Sequence, residues 1–230
     1  MKETIVADIT KPKSRRCLYH FTRIRNLPAM AHFDTLFSSY MLNPVLPGER
    51  RTSALNAIFK EQAITINAHL RIPDSMIDPS TSQEQFRACI DRHVFFWPTL
   101  KDCQKMLTTY ARREPLEGFA VLEFDASALL LAHYSEVKLS KYDSGSSPRY
   151  PKSCSYKKSP EMFLPLNSFK TVKNHLVPTK ASEIREVVIE DQVTFISHYL
   201  QAVYANHREE IPARWESLVK PLAYLQQENM

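Results

Sequence analysis

The chain of 230 residues carries 30 Lys and Arg against 25 Asp and Glu, a formal net charge of +5, and its pI lies near 9.0. A hydrophobic content of 43% and a charged content of 24% fit a soluble chain with one good core or two small ones. No window reaches the roughly 18 apolar residues of a membrane-spanning helix. The opening "MKETIVADITKPKSRR" lacks the apolar stretch of a signal peptide, so a cytoplasmic protein is expected. Four cysteines without C-x-x-C spacing argue against structural zinc and for reduced thiols. Three glycines form neither G-x-G-x-x-G nor a P-loop, which excludes those two nucleotide-binding devices.

In chain order, residues 1–15 read as a flexible basic arm ahead of a single domain over 16–230. "CLYHFTRIRNLPAM" reads as a buried strand ending near His20, a tight turn, and a helix capped by Asn26 with Pro28 in its first turn. Taken alone, it favours a hydrogen-bonded core histidine at position 20. "MLNPVLPGERR" is a loop, and the periodicity of "TSALNAIFKEQAITINAHL" predicts a helix. "EQFRACIDR" is a short helix, "HVFFW" a strand closed by Pro98, "LKDCQKMLTTYARRE" a helix and "GFAVLEFD" a second strong strand. "ASALLLAHY" follows as a helix capped by Asp125, then "EVKLS" as a strand. Residues 141–160 form a long Ser/Tyr/Lys/Pro loop, a length that in compact domains usually signals function or disorder. "EMFLPL" and "IREVVIED" read as extended, "VTFISHYLQAVYAN" as a helix, and "PARWESLVKPLAYLQQ" as a last helix broken near Pro221. Without strict strand–helix–strand alternation, the pattern is one α+β domain.

Three stretches, "LYHFTRIRNLPAM", "RHVFFWPTLKDCQKML" and "SPEMFLPL", together resemble DarT-like ADP-ribosyltransferases and a related bacterial family of unknown function. The resemblance covers roughly residues 17–190 and implies an ADP-ribosyltransferase-like fold, two small, mostly antiparallel sheets around an NAD cleft. It implies NAD as substrate, with no metal and no glycine fingerprint. The reaction it implies passes through an oxocarbenium-like state and needs a positioned carboxylate, a cation for the pyrophosphate and aromatic surface. His20 would then bond a ribose hydroxyl or orient the nicotinamide half, with Tyr19 on the opposite side of the strand and Thr22 adding a hydroxyl. The arginine expected about thirty residues past the histidine is Arg50 or Arg51, of which Arg51 is preferred and Arg71 is the substitute. The aromatic strand presents either Phe96, or Phe95 with Trp97. The carboxylate is assigned to Glu161, with Glu123 and Asp125 as alternatives.

The loop 141–158 interleaves Arg149, Lys152 and Lys157 with Tyr150, a pattern suited to single-stranded DNA or RNA, where cations meet phosphates and rings stack on bases. Its other reading is a lid over the cofactor. Ser144, Ser146 and Ser147 around Gly145 offer backbone N–H groups to a phosphate. His69, His93, His133, His175, His198 and His207 show no metal-ligand spacing. The resulting expectation is a monomeric, cytoplasmic ADP-ribosyltransferase that modifies a nucleic-acid base. Its setting would be that of a toxin or defence effector with an antitoxin or immunity partner. The alternative is an inactive member of the fold that binds nucleic acid or a nucleotide.

Overall fold

Two four-stranded sheets meet along a single pair of edges, and that seam organises the molecule. The computed structural model describes residues 2–45, 47–206 and 208–227. In chain order these form α1 (Lys2–Thr10), β1 (Cys17–Arg23), α2 (Leu27–Phe33), β2 (Thr35–Phe37), α3 (Ser39–Leu42), β3 (Leu55–Phe59) and β4 (Gln62–Ile66). There follow α4 (Gln83–Asp91), β5 (His93–Phe96), α5 (Leu100–Arg113), β6 (Phe119–Asp125), α6 (Ala126–Ala132), β7 (Val137–Ser140) and β8 (Phe163–Pro165). The chain closes through β9 (Glu186–Glu190), β10 (Gln192–Thr194), β11 (Leu200–Ala205), β12 (Val219–Pro221) and α7 (Tyr224–Gln227).

One sheet has the order β1-β6-β11-β12 and the other β5-β9-β7-β8; β10-β2 and β3-β4 are two-stranded satellites. Among the described residues, the pairings between these strands are antiparallel except β11 with β12. The edges of the large sheets join at one bridge. Tyr19 N–H donates to the Trp97 carbonyl at 3.0 Å, and Trp97 N–H returns a bond to Tyr19 at 2.9 Å. Alternation along a strand then turns the Phe95 carbonyl toward β1 as well. No β1 amide reaches it; the His20 ring does.

The main core gathers Leu18, Phe96, Leu122, Phe124, Val187 and Trp215 between the sheets and helices. A second cluster packs Tyr19, Phe21, Trp97, Tyr110 and Tyr204 under α5, and a third packs Met76, Phe86, Met162 and Val188 under α4. Asn26 stands at the α2 start as expected, but its side chain makes no cap bond. It pairs instead with the Thr65 backbone, donating to the carbonyl at 2.9 Å and accepting from the amide at 2.8 Å. That pair of hydrogen bonds ties the β3–β4 hairpin to the turn after β1.

Four expectations from the sequence are corrected here. The N-terminal segment expected as a flexible arm contains α1, whose Val6 and Ile9 join the main core. The helix expected over "TSALNAIFKEQAITINAHL" is the β3–β4 hairpin. Its turn residues Lys60 and Glu61 both take positive φ, 45° and 68°, the geometry hairpin turns demand. The helix expected over "VTFISHYLQAVYAN" is β10, a turn with Phe195 at φ 54°, and β11. Its β-branched residues fill open edges of β2 and β6. Pro221 ends the short edge strand β12 rather than breaking a helix.

Arg23, at the end of β1, is 1% exposed. It pairs with Glu117 at 2.6 Å and Glu114 at 2.8 Å and donates to Asn67 just past β4 at 2.9 Å. Removing one member of a buried ion network costs about 3–5 kcal/mol. Urea unfolding of Arg23→Ala is expected to show a loss of about 3 kcal/mol; a change below about 0.5 kcal/mol would place this network among surface pairs of little consequence.

Candidate active site

A cavity of about 210 Å³ opens where the two large sheets part beyond the Tyr19–Trp97 bridge. Its walls come from β1 (His20, Thr22), from Phe95 of β5 and the following Trp97, from Met106 and Tyr110 of α5, and from Glu186 at the head of β9. The β3–β4 hairpin and α2 close the other side with Ile64, Ile66, Met30 and Phe33. Two outer grooves adjoin it. One of about 350 Å³ shares His69, Leu70, Ile90 and Gly145, and one of about 630 Å³ shares Leu70, Trp97, Met106 and Glu186.

His20 is held by its Nδ1, which lies 2.9 Å from the Phe95 carbonyl. A carbonyl only accepts, so Nδ1 carries the proton and Nε2 is left as an acceptor. Burial pushes the imidazole down to about 4, outweighing the opposing hydrogen bond to Phe95; the ring is neutral at physiological pH. His93, also on the cavity wall, repeats the arrangement. Its Nδ1 donates to the Cys89 carbonyl at 2.7 Å and Lys138 approaches Nε2 at 3.2 Å. Burial, with the Lys138 charge beside it, holds it down to about 4.

Arg51 reaches the cavity but is heavily engaged. It grips Asp91 with two bonds of 3.1 and 2.6 Å, and Nε donates to the Asn67 carbonyl at 3.1 Å. His69 completes the cluster. Its Nδ1 accepts from the Arg51 amide at 3.1 Å, so Nε2–H donates to Asp91 at 2.9 Å. Burial disfavours the Asp91 charge, yet the bonds from His69 and Arg51 prevail and hold the carboxyl below the ordinary range. Arg51 is therefore a neutralised wall element. Arg50 and Arg71 are exposed, line the 350 Å³ groove, and have no ion-pair partner among the described residues.

Glu186 is the cavity's other carboxylate, 1% exposed. The β5–β9 register pairs Phe96 with Val187, so one step further sets Glu186 opposite Trp97, across the seam from Tyr19. It accepts the Ser144 amide at 3.0 Å. Burial, reinforced by the Asp143 charge, pushes its carboxyl up against the pull of Ser144 and Lys158.

The residues expected from the sequence divide accordingly. His20, Thr22 and Arg51 line one cavity. Phe96 does not; it is fully buried behind His20, with ring centroids 5.6 Å apart, and Phe95 and Trp97 face the cavity instead. Tyr19 packs into the second core cluster. Glu161 is an exposed residue of a 3-10 turn (Pro160–Met162) and does not line the cavity. Of its alternatives, Glu123 accepts the Tyr204 hydroxyl at 2.6 Å and Asp125 caps α6 through Ala128 at 2.8 Å. In the basic loop, Lys157 is bonded to the Ser75 carbonyl, Arg149 lies 5.4 Å from the Tyr150 ring, and Lys152 is exposed. The amides of Ser144 and Ser146 are spent on Glu186 and Asp143, not open to a phosphate. His207 lies outside the described residues.

Sequence reasoning missed Glu186, Asp91 and His69. A charged residue heading the otherwise apolar run "EVVI" was the available signal for Glu186. Asp91 and His69 are distant in sequence and carried none. Among the described residues no group of three or more His, Cys, Asp or Glu is placed to hold a metal, and no helix is long and apolar enough to cross a membrane.

The chain belongs to a family of unknown function, DUF7002, whose model matches residues 16–200. No curated protein matches it. Among solved structures it is similar to Thermus sp. 2.9 DarT in complex with NAD+, at 12% identity and a TM-score of 0.40, over 86% of this chain and 85% of that one.

The two neutral histidines set a pH dependence. Unfolded imidazoles, near 6.5, take up protons that the folded ones, near 4, refuse. Their contribution to stability is complete above the unfolded value and is lost as pH falls toward 4. Urea midpoints are expected to decline from pH ~7 to ~4.5, less steeply in His93→Gln; a profile identical in the variant would refute the buried neutral ring.

Proposed function

We propose that the cavity binds NAD and transfers its ADP-ribose to an acceptor, a nucleic-acid base being the acceptor class favoured by the sequence. The observation that carries this reading is the convergence of a neutral histidine and a buried carboxylate on opposite sides of one seam, with Phe95 and Trp97 between them. An acceptor Nε2 on His20 suits a ribose hydroxyl, which donates. The aromatic wall suits a flat, cationic nicotinamide ring.

In the reaction, the bond between the ribose C1 and the nicotinamide nitrogen breaks and its electron pair leaves with the neutral ring. The developing positive charge on the sugar is stabilised by an anionic neighbour. Glu186, in its ionised form, takes that role and then receives the proton of the attacking acceptor. A carboxyl raised by burial matches a base that works near neutrality. Arg51, bound to Asp91, shapes the wall, and the pyrophosphate is assigned to Arg50 and Arg71 in the adjoining groove. Exposed Arg149, Lys152 and Tyr150 are the candidates for contact with a nucleic-acid acceptor.

Nicotinamide release from NAD, measured with DNA or RNA oligonucleotides present, tests this reading. Glu186→Gln is expected to lower the rate at least about a hundredfold, and His20→Ala at least about tenfold. Glu161→Gln distinguishes the two carboxylates. Loss of turnover there with normal turnover in Glu186→Gln would return the role to position 161. NAD binding without release in the unmodified protein would instead favour a nucleotide-binding member of the fold that performs no transfer.

A further inference from the structure

Lys158 is fully buried, an expensive place for an ammonium. Its Nζ donates to the carbonyls of Asp143 and, at 3.0 Å, Ser144. Its own backbone is fixed too, the amide donating to Met76 at 2.7 Å and the carbonyl accepting from Asp78 at 3.0 Å. Lys158 thus fastens the turn of the 141–158 loop to the segment before α4. The consequence lies one atom group further on. The same turn sends the Ser144 amide to Glu186 at 3.0 Å and carries Gly145 to the cavity wall.

We propose that Lys158 is a positioning residue for Glu186, holding the Asp143–Gly145 turn so that the Ser144 amide stays on the carboxylate and Gly145 completes the cavity wall. The inference deepens the transferase reading and rests on it for its functional meaning, although the linkage itself is testable without turnover. Several groups act on the Glu186 carboxylate. Asp143 disfavours its charge, whereas Lys158 and the Ser144 amide favour it. Tyr156, stacked on Tyr142 at 3.8 Å, and Cys154 lie in the same electrostatic neighbourhood. Lys141 and Arg185 stand farther out, on the rim of the 630 Å³ groove.

The test uses the full chain with carbon-13 at glutamate carboxyls, Glu186 being assigned by the Glu186→Gln variant. Its titration is followed in two variants of opposite sign. Lys158→Met removes a favourable charge and is expected to move the Glu186 titration to higher pH, with the Ser144 amide exchanging with solvent at least about tenfold faster. Asp143→Asn removes an unfavourable charge while leaving Lys158 in place and is expected to move the titration to lower pH. If the transferase reading holds, Lys158→Met lowers kcat for nicotinamide release about tenfold or more with KM for NAD changed by less than about threefold. An unshifted Glu186 titration in either folded variant, or unchanged Ser144 exchange in Lys158→Met, would overturn the proposal. Should Lys158→Met fail to fold, Lys158→Gln is read in its place by the same Glu186 titration and Ser144 exchange. Absence of nicotinamide release from the unmodified protein would refute only the transferase reading, since neither titration nor exchange depends on it.

Discussion

The Tyr19–Trp97 bridge is the constraint on which the other features depend. Two backbone bonds join sheets that otherwise share no strand. Had the pairing continued, β1 and β5 would have zipped into one large sheet and no cavity would exist. It does not continue: the next inward-facing carbonyl of β5, that of Phe95, is bonded by the His20 ring. The histidine replaces one rung of a ladder, and the sheets diverge from that point. The opening "LYHFT" element thus shapes both the seam and the cavity wall. Nδ1 takes the place of a backbone donor, and the same bond leaves Nε2 as an acceptor.

Around this seam the polar groups are mostly satisfied inside the wall. Asp91 gathers Arg51, His69 and the Gly48 amide, so a charge that burial alone would expel remains ionised. His20 and His93 solve the same problem by staying neutral, each donating to a carbonyl. Glu186 alone is pushed toward protonation by burial and is steadied by one amide and a distant ammonium. The two buried carboxyls thus differ, one held as an anion by its partners and one pushed up by burial.

The strands and helices with strong periodicity were legible in the sequence, among them β1, β5, β6, α4 and α5. The hairpin at 55–66 was not. Its turn is Lys60-Glu61 rather than Asn-Gly, and Ile58, at 81% exposure, gave the apolar spacing of a helix face without being buried. β10 and β11 were equally hidden, because their identity comes from partner strands 155 or more residues away for β2 and about 80 for β6. The same asymmetry holds for the site. His20 and Arg51 could be singled out from a motif and its spacing. Phe95 and Trp97 stood as one of two options, which strand direction alone left open. Glu186 emerged only when β9 was placed beside β5, since its importance is a matter of register.

The central claim is that a ligand enters between His20 and Glu186. Nitrogen-15 spectra of the histidine rings during titration with NAD test it most directly, His20 being assigned by its substitution. Binding in the cavity predicts that the neutral His20 Nε2 resonance moves in proportion to occupancy, while exposed His198 stays fixed. A His20 ring whose resonance remains unchanged at saturating NAD would contradict the account.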